Sequence, residues 1–236
     1  MPEISPEAQR YRFNAIGILH SPFKEKFGIP RQSGLLPVEA ELELLPPYAS
    51  DEAVRGLERV SHIWLLFVFH DTPAGAWSPT VRPPRLGGNQ RMGVFATRSP
   101  FRPNPIGMSV VELLGIQHAQ GRLILKLRGA DLLDGTPVID IKPYVPYADS
   151  LPEALTGFAD CAPEHRLQVR FSEQAEKSCA KQPELRALII QVLELDPRPA
   201  YQREEETERE YGIRLFDRNV RWSVSGAQAH VMAIEP

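Results

Sequence analysis

Val38-Glu-Ala-Glu-Leu-Glu-Leu44 alternates apolar and acidic residues with period two, the pattern of a strand with one wet and one buried face. Leu123-Ile-Leu-Lys-Leu127 reads likewise. Between them, Ser61-His-Ile-Trp-Leu-Leu-Phe-Val-Phe69 is an unbroken run of β-formers, expected as a strand buried on both faces, and Phe13 to His20 and Pro137 to Lys142 are shorter candidates. Only Ser50 to Leu57, with Ser50 as N-cap and Asp51 and Glu52 in the first turn, predicts a helix in this half. Strands this close together leave no room for crossover helices, so a doubly wound α/β fold is disfavoured.

Proline supports the same reading. Of 23 prolines 17 precede Ser150, as do 13 of 16 glycines, and a backbone so often denied a donor cannot be mainly helical. The remainder is richer in charge and helical pattern. Leu167 to Phe171 predicts a strand, and Pro183 to Leu195 a helix with Leu185, Leu188, Ile189, Val192 and Leu193 on one face. Ile213 to Phe216, Val220 to Val224 and His230 to Ile234 predict further strands. The expected architecture is a mainly β, barrel-like, non-Rossmann N-terminal domain over 1–150, a linker over 151–163 and a small α+β domain over 164–236.

The 236 residues are 42% hydrophobic and carry 27 Lys and Arg against 30 Asp and Glu, a net charge of -3. Disorder, collagen and coiled coil are excluded, and no overall basic field announces a polyanion partner. Two cysteines, Cys161 and Cys179, form no disulfide framework or metal spacing, and His20, His62 and His70 show none either, so no metal is expected. No apolar h-region opens the chain, and the run Ile63 to Phe69 is too short to span a bilayer, so a soluble, cytoplasmic protein is expected. There is no Walker motif, no Gly-x-Gly-x-x-Gly after a strand, no Gly-x-Ser-x-Gly and no His-Glu-x-x-His.

Two segments carry candidate chemistry. Between Asp71 and Glu112 there is no acidic residue, yet there are five arginines: Arg82, Arg85, Arg91, Arg98 and Arg102. Solvated loop arginines are the plain explanation of each alone; together, without a lysine, they point to bidentate recognition of planar anions. The second segment, Arg128 to Tyr144, holds Asp131, Asp134 and Asp140. Asp134-Gly135 suits a turn. Asp140 in an alternating strand would share a face with Val138 and Lys142, making an ion pair or a polar site wall.

With these residues in view, the chain resembles the TsaA-domain family, and within it the bacterial TrmO methyltransferases. The likeness runs through Ile16-Gly-Ile-Leu-His-Ser-Pro-Phe23, Pro30-Arg-Gln-Ser-Gly34, Ser61 to His70, Gly93-Val-Phe-Ala-Thr-Arg-Ser-Pro-Phe-Arg-Pro-Asn-Pro-Ile-Gly-Met-Ser109, Asp131-Leu-Leu-Asp-Gly-Thr-Pro137 and Asp140-Ile-Lys-Pro-Tyr144. It extends to Asp196-Pro-Arg-Pro-Ala-Tyr201 and Phe216 to Trp222. The resemblance implies an S-adenosyl-L-methionine-dependent N6-methyltransferase, a homodimer, acting on threonylcarbamoyl-modified adenosine next to the anticodon of a threonine tRNA. It places the cofactor against Gln32, Ser33, Gly34, Phe69, His70, Arg98, Met108, Gly129, Ala130, Asp131 and Leu132.

For a methyl transfer that needs alignment and water exclusion more than covalent help, Phe69 and Met108 suit the apolar end of such a cofactor, and Asp131 its ribose or ammonium. Asp140 or Asp134 is the candidate base, with Lys142 and Tyr144 positioning. Arg98, Arg102 and Asn104 lie in the acid-free segment, where one arginine is expected to read the threonylcarbamoyl carboxylate, with Arg102 and Asn104 as the substrate-binding candidates. Arg198, Tyr201, Arg218 and Arg221 are candidates for the anticodon loop, with structural arginines as the competing reading. Two other classes remain open: a non-catalytic S-adenosylmethionine-sensing or RNA-binding module, and a metal-dependent hydrolase built on Asp131, Asp134 and Asp140.

Overall fold

The alternation that opens the reading forms a barrel wall. In the computed structural model, which describes residues 11–73, 75–162, 167–199, 202 and 209–236, β1 (Gly17–His20) and β2 (Glu39–Leu44) are followed by a short helix α1 (Asp51–Val54) and β3 (His62–Val68). The two-residue strands β4 (Thr80–Val81) and β5 (Met92–Gly93) pair with each other, and β6 (Ile106–Ala119), β7 (Arg122–Arg128) and β8 (Thr136–Pro143) complete the sheet. Six strands close into an antiparallel barrel in the order β1-β2-β7-β6-β3-β8. Ala40, Leu42 and Leu44 point inward, while Glu41 and Glu43 face out and pair with Lys126 and Arg122 on β7.

β3 corrects one expectation. It is not buried on both faces: Ile63, Leu65 and Phe67 enter the core, whereas Trp64, Leu66 and Val68 lie half-exposed on the barrel exterior. A barrel wall has one inner face, so the outer apolar residues need another role.

β8 corrects another. A bulge where Leu66 and Phe67 meet it breaks the period of two, so Val138 is fully buried while Asp140 lies outside with Lys142, not on the face of Val138. α1 also stops early. Ser50 Oγ accepts from Ala53 N–H, but Gly56 at φ 96° turns the chain, and Leu57–Arg59 forms a separate 3-10 turn.

In the C-terminal half, α2 (Pro146–Asp149) precedes β9 (Gln168–Phe171), α3 (Glu173–Cys179), α4 (Pro183–Glu194), β10 (Glu210–Leu215), β11 (Arg218–Ser225) and β12 (Gln228–Glu235). The sheet order is β10-β11-β12-β9, with β9 parallel to β12. All five residues of the predicted α4 stripe are buried.

This second core is not self-contained. Phe23, Leu36 and Val38 belong to it, Phe23 bridges Leu215, and Phe216 N–H donates to Pro22 O at 2.7 Å. Gly28, at φ +89°, lies so close that a Cβ would stand 2.0 Å from Ile213 Cδ1. The stretch 21–38 is thereby fixed between barrel and C-terminal sheet, and its 26–34 part forms one wall of the site described next.

Candidate active site

Where β3 ends and β6 begins, the chain leaves the barrel in loops that enclose a cavity of about 430 Å³. Its floor is apolar. Phe67 and Phe69 meet edge to face with ring centroids 5.2 Å apart, and Gly107 lets them: a Cβ there would stand 2.3 Å from Phe67 Cζ. Phe69 N–H donates to Pro105 O at 2.8 Å, fastening the end of β3 to the loop that starts β6.

One half-buried acid faces this floor. Asp131 accepts a hydrogen bond from Ser109 Oγ at 2.6 Å, and Ser33 N–H also points to it. Burial pushes its carboxyl above the usual carboxylate range, opposed by the Ser109 hydroxyl, the backbone amides and the charge of Arg98. The neighbouring wall is locked by backbone: Gly34 N–H donates to Gly129 O at 2.9 Å, and Gly129 adopts φ +87° so closely packed that its Cβ would meet Gly34 at 3.4 Å.

Two arginines close the opposite side. Arg98 Nη1 donates to Gln32 Oε1 at 2.5 Å, across the cavity mouth. Arg102 Nη1 donates to the carbonyls of Thr97 at 2.7 Å and Val94 at 3.2 Å, which uses one nitrogen to shape the loop. Lys26 joins Asp71, holding that carboxyl below its ordinary range chiefly through their hydrogen bond.

Of the expected cofactor residues, Gln32, Phe69, His70, Arg98, Met108, Asp131 and Leu132 line the cavity, while Ser33, Gly34, Gly129 and Ala130 stand directly behind or beside it. Arg102, expected at the modified base, lines the same cavity; Asn104 is exposed outside it. Ser109, Phe67, Lys26 and Thr136 also line it, without having been singled out. Ser109 had a usable signal: it is a polar residue at an inward position between Gly107 and Val111, legible once β6 is recognised as a strand.

The candidate bases lie elsewhere. Asp134 bonds Ser21 N–H at 3.0 Å and Lys24 Nζ at 2.5 Å, fastening the stretch 21–24 to the barrel end. Burial acts to raise its pKa, but Lys24 and the Ser21 amide prevail and hold it low. Asp140 pairs with Lys142 at 2.7 Å on the outer barrel face, in the cross-strand row Met108, Leu66, Asp140. Tyr144 continues that face, its ring 6.0 Å from Trp64 and 6.5 Å from His62. None of these three lines the cavity: Asp140 lies two strands across from Met108, and Lys142 and Tyr144 run away from it toward the start of β3.

Arg198 is a correction. It is 7% exposed and bidentate to the still more buried Asp196, at 2.8 and 2.9 Å, so it is a structural arginine with no open face for a phosphate. Tyr201 lies outside the described residues. Arg221 is held between Glu210 and Glu235, and Arg218 lies 3.5 Å from Asp217. Among the described residues no group of three or more His, Cys, Asp or Glu could hold a metal ion, and no helix is long and apolar enough to cross a membrane.

Comparison with known proteins adds to this geometry. The tRNA-methyltransferase O N-terminal domain model matches residues 18–150, and the TrmO C-terminal domain model matches residues 164–236. A tRNA (adenine(37)-N6)-methyltransferase of Escherichia coli K12 is 54% identical over 231 residues, covering 96% of this chain and 98% of that protein. A probable S-adenosyl-L-methionine-binding protein of Methanothermobacter thermautotrophicus is 41% identical over 140 residues, 59% of this chain and 94% of that one. The crystal structure of TrmO from Pseudomonas aeruginosa aligns with a TM-score of 0.78 at 43% identity, over 97% of this chain and 99% of that one.

Proposed function

The chain belongs to the tRNA-methyltransferase O family, and from that premise we propose that it methylates N6 of the threonylcarbamoyl-modified adenosine at position 37 of threonine tRNA. At the coarser level it is an S-adenosylmethionine-dependent tRNA (adenine-37-N6)-methyltransferase. The reading includes a cytoplasmic homodimer whose barrel binds the cofactor and whose C-terminal domain supports the RNA.

The observation that carries this reading is the cavity: an apolar floor, the half-buried Asp131 carboxylate, and Arg98 and Arg102 at one opening. About 430 Å³ falls within the range of small-molecule sites. Phe67, Phe69 and Met108 fit the adenosyl part of S-adenosylmethionine, and Asp131, fixed by Ser109, fits its ammonium or ribose hydroxyls. When bound, that cofactor supplies an electrophilic methyl group. The chain contributes alignment and exclusion of water.

At the acceptor end, Arg102 keeps Nε and Nη2 uncommitted among the described residues while Nη1 holds the loop. That edge is the side-on fork a carboxylate accepts, and it suits the threonylcarbamoyl group. The N6 proton goes to Asp140, held by Lys142 on the row that runs from Met108 across Leu66. Tyr144 and Trp64 border the same face.

The test is transfer of radiolabelled methyl from S-adenosylmethionine to tRNA from cells with and without the threonylcarbamoyl modification. Label confined to the modified pool supports the reading. Label in both pools removes the modified base from it, and cofactor binding without any transfer replaces it with a sensing module.

A further inference from the structure

Phe95 is 76% exposed, on a turn whose backbone is held in place. The Arg102 guanidinium carbon lies 5.7 Å from the ring centroid, while Arg102 Nη1 grips the carbonyls of Val94 and Thr97, the residues flanking Phe95 and Ala96. Thr97 N–H closes the same turn on Val94 O at 3.1 Å. Arg102 and Thr97 both line the cavity, so one arginine forms part of its wall and mounts a bare aromatic face at its edge. Trp77 and Phe101, 53% and 41% exposed, belong to the same loop layer, where Ser78 N–H donates to Phe101 O at 3.2 Å and Val94 N–H to Pro79 O at 3.0 Å.

The charges around this surface select its partner. The sequence from Thr72 to Val111 contains no acid. The hydrogen bonds of Arg85, Arg91, Arg98 and Arg102 go to neutral acceptors, namely Cys161, Thr80, Gln32 and backbone carbonyls. Two copies of this chain meeting here would bring like charges together, which costs association, whereas the phosphates of an RNA loop neutralise them.

We propose that Phe95 is a stacking platform for a nucleobase adjacent to the methylated adenosine, an inference that rests on the tRNA reading above. An adenine that brings its exocyclic amine to a cavity must leave its stack, and its neighbour then presents a bare π-face. A ring carried on a fixed turn beside the cavity receives that face without reading its identity, so the contact adds affinity for an unstacked loop and tolerates sequence.

The experiment measures kcat/KM for modified tRNA, affinity for S-adenosylmethionine and oligomeric state in the full chain and in F95A, F95L and F95W. F95A and F95L are expected to lose about 5- to 150-fold in kcat/KM, the range of one base–aromatic stack. F95W restores it. Cofactor affinity stays within about twofold, and the salt slope of tRNA binding is unchanged because the ring carries no charge. F95L as active as the parent chain would overturn the proposal, since a leucine fills space without a π-face. A change in oligomeric state in F95A would also overturn it, marking the surface as an interface between copies. A parent chain that methylates no tRNA removes the functional reading and the platform with it; an active parent chain indifferent to residue 95 removes the platform alone.

Discussion

Ser109 on β6 and Asp131 in the turn after β7 meet across the cavity wall at 2.6 Å, hydroxyl to carboxylate. Ser109 is buried and Asp131 half-buried, and the Ser109 hydroxyl, aided by the Ser33 amide and the charge of Arg98, opposes the desolvation that pushes Asp131 up. The other charged groups lining this cavity are Lys26, Arg31, Asp71 and Arg102, with His70 at its edge. A cationic ligand group needs the ionised form of Asp131, so cofactor affinity falls as pH falls through its pKa. S109A raises that pKa further. It is expected to weaken binding roughly tenfold and to move the pH at which affinity fails upward, while S109T recovers most of the loss. Calorimetry across pH reads both effects; equal loss at every pH would mean that Ser109 only packs.

Asp131 also makes a prediction of opposite sign for stability. Its pKa is raised on folding, so the native state binds its proton more tightly than the unfolded chain. The cost of ionising it in place grows as pH rises from the ordinary carboxylate range through the native value. D131N removes that cost. At neutral pH the apo protein is expected to melt about 2–4 °C higher, the shift for roughly 1 kcal/mol in a chain of this size, while cofactor affinity collapses. A lower melting temperature with unchanged affinity would contradict the assignment.

Asp134 behaves in the reverse manner. Its pKa is lowered on folding by Lys24 and the Ser21 amide despite burial, so its contribution is present above the ordinary carboxylate range and lost as pH falls through the native value. D134N is expected to cost about 1 kcal/mol at neutral pH, seen as a lower melting temperature, with the difference vanishing in acid. Because Asp134 stands outside the cavity, kcat should change less than threefold, an order-of-magnitude bound far below what losing a general base costs. A hundredfold fall in kcat would return it to the chemistry.

How much of this was legible beforehand varies with the range of the signal. The β2 alternation and the α4 stripe depend on residues a few positions apart, and both were visible. β6 was hidden because Gly115 and the bulge at Leu114 interrupt its period. α3 was hidden because only Ala175 and Cys179 are buried on it. Arg198 looked available as a cation because nothing in Asp196-Pro-Arg198 announces that the two side chains fold back on each other in a buried bidentate pair. Arg98 and Asp131 stood out in the acid-free arginine segment and the aspartate-bearing segment, Gln32 and Phe69 as site residues through resemblance. That they surround one cavity follows from barrel closure and from the 21–38 stretch packing under Ile213, long-range facts that no local spacing encodes.

Asp140 gives a prediction about chemistry rather than binding. The proposed reaction gives the N6 proton to Asp140, which pairs with Lys142 on the outer barrel face in the row that includes Met108. D140N should lower kcat about 10²-fold or more with cofactor affinity intact, and K142A should follow it less severely. Loss of affinity with kcat preserved would place both residues in binding instead.

The most direct measurement is nucleoside mass analysis of a single threonine tRNA, prepared with and without the threonylcarbamoyl group and incubated with the full chain and S-adenosylmethionine. The account predicts one added methyl on the modified adenosine, fragmenting at N6, and none on the unmodified tRNA. A methyl on any other nucleoside, or equal methylation of both preparations, would contradict it.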